Sequence, residues 1–104
     1  MAAESWNFQI EASARREISR LPDGLDQEAV ETIESLLDDP YPEDSEKLEG
    51  YEDVYRIKFG PTSARKGLRT PQYRIIYSVN EHRRLIRVWR VRPRSSAYEG
   101  MRNP

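Results

Sequence analysis

Val54-Tyr-Arg-Ile-Lys-Phe59, Tyr73-Arg-Ile-Ile-Tyr-Ser-Val79 and Leu85-Ile-Arg-Val-Trp-Arg-Val91 are three short runs in which apolar side chains recur with the period of a strand. Asn80-Glu-His82 separates the last two with turn residues, and consecutive strands usually pair, so the runs predict an antiparallel meander. Upstream, Trp6, Phe8 and Ile10 alternate with Asn7, Gln9 and Glu11 and predict an opening strand. Ala14, Ile18 and Leu21 then follow at helical spacing until Pro22-Asp-Gly24 interrupts them. A second helix carries its apolar stripe on Leu25, Ala29, Ile33, Leu36 and Leu37, with Glu28, Glu31, Glu34 and Asp38 on the polar side, and Pro40 stops it. Residues 39–53, rich in acids, Pro and Gly, read as a connecting loop. Residues 60–72 read as a longer basic connection carrying Arg65, Lys66 and Arg69. The expected fold is α+β: one domain over residues 1–104, running strand, helix, helix and a three-stranded meander, with both helices on one sheet face.

Composition narrows the function. The chain has 104 residues and no cysteine, which excludes disulfides, thiolate metal sites and thiol nucleophiles. Neither a signal-peptide pattern at the start nor an apolar run of bilayer length is present, so a cytoplasmic protein without a membrane partner is expected. The net charge of −1 conceals a strong polarity. Residues 1–53 hold 16 acids and 4 bases, whereas residues 54–104 hold 13 bases and 2 acids. A basic half of that kind suits phosphate.

Alternation assigns each charge a side. Tyr55, Ile57 and Phe59 share one face and Arg56 and Lys58 the other; Tyr73, Ile75, Tyr77 and Val79 share a face opposite Arg74. In the last run Arg90 and Arg92 fall with Ile86 and Val88, opposite Leu85, Arg87, Trp89 and Val91. Helices covering the Tyr55/Ile57 face would leave Arg56, Lys58, Arg74 and Arg92 converging on the exposed side. With few carboxylates nearby in sequence, these bases are not explained as local ion pairs, and a polyanion is the natural counterion. The plainer reading is that strands carry cations on their solvent face to protect edges, and charge alone does not separate the two. His82, the one histidine, belongs to a turn; Trp89 reads as packing, and the glutamates of the second helix as a solvated face.

Four short motifs in order add a further signal: Leu48-Glu-Gly-Tyr51, Tyr55-Arg-Ile-Lys58, Tyr73-Arg-Ile-Ile-Tyr77 and Arg92-Pro-Arg-Ser-Ser-Ala-Tyr98. With them the chain resembles the RelE/ParE superfamily of bacterial toxins, the RelE branch most closely. The resemblance implies the toxin of a toxin–antitoxin pair, with a cognate antitoxin, the ribosome and mRNA as partners, that cleaves mRNA in the ribosomal A site. It implies attack of a ribose 2′-hydroxyl on the adjacent phosphate, with no metal or other cofactor. It places catalytic roles on Arg56, Lys58, Arg74, Arg92 and Tyr98: Lys58 as base or charge stabiliser, Arg56 and Arg74 as phosphate clamps, Arg92 near the leaving oxygen and Tyr98 against a base. Arg65, Lys66, Arg69, Arg90 and Arg94 are candidate RNA contacts. Arginine holds its proton too tightly to be a good acid, so electrostatic roles are expected of it. The chain departs from the family in its acidic first half, its longer 60–72 connection and the six residues after Tyr98, which leave little for a C-terminal helix. The alternatives are a ParE-like toxin that binds DNA gyrase without cleaving RNA, and a non-catalytic RNA-binding module.

Overall fold

A computed structural model of the chain describes residues 5–63 and 70–101. The opening strand β1 (Asn7–Ile10) leads into helices α1 (Ala12–Ser19) and α2 (Leu25–Ser35). Strands β2 (Ser45–Lys47), β3 (Val54–Ser63), β4 (Thr70–Asn80) and β5 (Leu85–Pro93) follow, and a 3₁₀ turn covers Arg94–Ser96. The meander is present, but it is the centre of a five-stranded mixed sheet of order β1-β5-β4-β3-β2. β1 lies parallel to β5, while β2, read from the sequence as loop, pairs antiparallel with β3 at the opposite edge. Three residues that include Glu46 and Lys47 carry no apolar alternation, so only the ladder to Arg56 and Tyr55 makes them a strand.

The stretch read as a long connection also begins and ends as strand. β3 and β4 stay paired to Ser63↔Thr70 beyond a bulge between Phe59 and Thr62, and Arg65, Lys66 and Arg69 lie outside the described residues. Gly60 makes that bulge possible. Its φ is +90°, its N–H donates to Glu28 Oε2 at 2.7 Å, and a Cβ there would come within 2.9 Å of the Tyr73 ring.

Both helices cover one sheet face. Ala14, Ala29, Ile33 and Leu36 pack with Ile57, Phe59, Ile75, Tyr77, Val79, Ile86, Val88 and Val91. An eight-residue helix such as α1 is unstable alone, so its place depends on this apolar contact. Tyr77 is fully buried, with its hydroxyl donating to the Pro40 carbonyl at 2.8 Å, and burial pushes the phenol pKa up to about 12.

A second bulge decides which way the last strand's arginines point. Val88 pairs with Tyr77 but Arg90 pairs with Ile76, which leaves Trp89 as the extra residue. Beyond it the alternation inverts. Val91 therefore joins Ile86 and Val88 in the core, and Arg90 and Arg92 turn to the other face. Strict alternation had put them with Ile86 and Val88; the inserted Trp89 is the physical reason for the difference.

Candidate functional site

The face left uncovered by the helices carries two cross-strand rows. One is Arg56–Ile76–Arg90 and the other Lys58–Arg74–Arg92, each set by ladder register across β3, β4 and β5. Directly opposed residues in antiparallel strands hold their Cβ atoms about 4.5–5.5 Å apart, so Lys58, Arg74 and Arg92 bring three cations side by side.

Arg74 is the buried centre of that row, with 4% of its surface exposed. Its Nη1 donates to the carbonyls of Pro71 (2.6 Å) and Tyr73 (3.1 Å), while its buried Nε has no partner. Burial draws its pKa below the usual arginine value; the Tyr98 hydroxyl opposes that shift, and the nearby Arg56 and Arg94 reinforce it. The Arg94–Ser96 turn delivers Tyr98 to this place and leaves it exposed. The Lys58 side chain forms no hydrogen bond or ion pair with the described residues.

The other cations are less free than the sequence implied. Arg56 pairs with Glu46 on β2, and Arg87 pairs with Glu11 at 3.0 Å. Arg92 donates from Nε to Glu17 Oε2 at 2.6 Å, and the other oxygen of Glu17 accepts the Val91 N–H at 2.9 Å. The absence of local ion pairs expected of Arg56, Lys58, Arg74 and Arg92 therefore fails at Arg56 and Arg92, because the acidic half folds back and supplies the carboxylates, as it also does for Arg87. Arg92 thus reaches to α1, and Arg56 and Arg92 flank Lys58 and Arg74 with their own counterions. Arg90, a candidate RNA contact, is occupied otherwise. Its Nη1 donates to the carbonyls of Ala97 (3.2 Å) and Glu99, fastening the C-terminal segment to the sheet. Arg94 stays exposed beside the row. His82 lies at the far end of β4 from Arg74. Among the described residues no group of three or more His, Asp or Glu is placed to hold a metal ion, and no helix is long and apolar enough to cross a membrane.

Residues 8–98 match the profile of the ParE toxin of type II toxin–antitoxin systems. The chain belongs to the RelE/ParE toxin superfamily. Solved RelE structures share its fold. The isolated E. coli RelE toxin is 23% identical, with 85% of this chain and 83% of that one covered and a TM-score of 0.65. The M. tuberculosis RelBE2 toxin–antitoxin complex contains a chain 19% identical, with 86% and 99% covered and a TM-score of 0.66. The RelE–RelB complex of Pyrococcus horikoshii contains one 26% identical, with 88% and 98% covered and a TM-score of 0.65. No curated protein sequence matches the chain significantly. For this RelE/ParE member, Glu17, Glu46 and the Trp89 bulge are the site features that sequence reading missed. Glu17 and Glu46 look like any other acid of the first half, and only the ladder and the packing of α1 single them out.

Proposed function

We propose that this toxin is a ribosome-dependent endoribonuclease that cuts mRNA in the A site and is restrained by a cognate antitoxin. The observation that carries the reading is the Lys58–Arg74–Arg92 row with Tyr98 against it. In the proposed reaction a ribose 2′-oxygen loses its proton and bonds to the adjacent phosphorus. The bond from phosphorus to the 5′-oxygen breaks, and that oxygen takes a proton, leaving a 2′,3′-cyclic phosphate and a free 5′-hydroxyl. Negative charge grows on the phosphoryl and leaving oxygens. Arg74, already fixed in its buried position, stabilises it without reorganising. Arg74 suits the clamp role because carbonyl contacts hold its guanidinium in place, and Lys58 suits the mobile charge because no side chain among the described residues competes for it. Arg56 and Arg92 would exchange Glu46 and Glu17 for phosphate as RNA arrives, with Tyr98 positioning a base. An antitoxin would cover the cationic face or displace the segment after Pro93, in line with the antitoxin complexes among the solved relatives.

The ParE profile match favours a second reading, a gyrase-binding toxin that leaves RNA intact. A protein-binding toxin has no need for cations aligned across three strands, which favours the nuclease. Primer extension on mRNA from induced cells decides between them. Cuts inside translated codons, with gyrase supercoiling unaffected, are expected; intact mRNA with inhibited supercoiling would reverse the assignment.

A further inference from the structure

Beside the cationic row, on the same sheet face, lies a pocket of about 400 Å³ with a mostly apolar lining. Tyr51, Ile76, Ser78, Trp89, Arg90 and Met101 are among the residues that line it. Ile76 follows Arg74 by two residues on β4, so this lining position sits about 6.7 Å along the strand from that of Arg74. That is about the reach from a backbone phosphate to its own or the neighbouring base.

The Trp89 ring is held rather than loose. The Arg87 guanidinium lies over it, 4.5 Å from the ring centroid, and Arg87 is itself tied to Glu11. Its indole N–H donates to Ser78 Oγ at 2.9 Å, which leaves the Ser78 hydroxyl proton available to a ligand. The bulge that inverts β5 is also what exposes 38% of this tryptophan. An aromatic surface fixed beside concentrated positive charge is the combination that binds single-stranded nucleic acid, with the cations on the backbone and the ring under a base.

We propose that this pocket takes a nucleobase of the same RNA strand whose phosphate rests on Lys58 and Arg74, and that Trp89 is a specificity-determining residue. The inference rests on the phosphate-binding role proposed above and adds a base-reading function to the face.

NMR titration of the isotope-labelled protein tests both parts. One probe is an adenine dinucleotide with its 2′-oxygen methylated against cleavage; the other is ribose 5-phosphate, which lacks a base. The dinucleotide should shift the Trp89 indole N–H, assigned by its loss in Trp89→Phe, together with the Ile76 and Met101 methyl signals. Ribose 5-phosphate should shift only signals around Lys58 and Arg74. Trp89→Ala should weaken dinucleotide binding about tenfold and leave ribose 5-phosphate unchanged, whereas Trp89→Phe should restore most of the loss. If the dinucleotide moves the Lys58 and Arg74 signals but not those of the pocket, the base site falls and the phosphate site stands. If neither probe moves the cationic face, both fall.

Discussion

Lys58 and Arg74 face each other in the ladder yet differ in what the fold asks of them. The Lys58 side chain has no partner among the described residues, so Lys58→Ala should leave stability within about 0.5 kcal/mol while removing the transition-state charge proposed for it. We expect growth arrest to be relieved and cleavage of programmed ribosomes to fall by about 10²-fold at unchanged melting temperature. A variant as toxic as the parent would sink the assignment. Arg74 also closes the carbonyls of Pro71 and Tyr73, and a lysine cannot reproduce that fork. Arg74→Lys should therefore lose nearly as much activity as Arg74→Ala, read in the same assay. Glu46 is exposed and its pair with Arg56 adds little stability. Glu46→Gln should leave thermal unfolding almost unmoved and tighten RNA binding a few-fold at low salt, because a competing anion is gone.

At the scale of elements, the two bulges carry the geometry. Gly60→Ala combines a left-handed φ with a Cβ pressed on Tyr73, and should cost about 1–3 kcal/mol in denaturant unfolding. The strands β3, β4 and β5 were readable from Val54 onward because a half-buried strand imposes a period of two, and the helices because Leu25, Ala29 and Ile33 lie on one stripe. β2 was not readable, since three polar residues at an edge have no burial to impose a pattern. Nor was the inversion at Trp89: alternation is a rule about local backbone, and a bulge is a choice made by the partner strand. The site inherited the same division. Arg56, Lys58 and Arg74 were assigned their side correctly, but the pairing of Arg92 with Glu17 spans 75 residues, and no local signal marks it.

Taken as a whole, the molecule is an acidic half folded against a basic one, and its response to solution conditions follows from that. With about three phosphates contacted, single-stranded RNA binding should weaken with salt at a log–log slope near −2, and Lys58→Ala should reduce that slope by about 0.7. A slope near zero would mean that the cationic face does not bind backbone. Tyr77 sets the alkaline limit. Burial favours its neutral phenol, so its folded pKa of about 12 exceeds the unfolded value near 10. The resulting stability, on the order of 2–3 kcal/mol, is fully present below pH 10 and is lost as pH rises towards 12. Tyr77→Phe should flatten that part of the unfolding curve.

The parallel seam between β1 and β5 joins Asn7 to Leu85, and Glu17 waits for Arg92. A nascent chain cannot close either contact until the segment carrying β5 has left the exit tunnel. Pairings so distant in sequence form late. The cationic row is therefore assembled late, only after synthesis has run past β5 by the length of the tunnel, and the antitoxin proposed above would meet its target as that face forms.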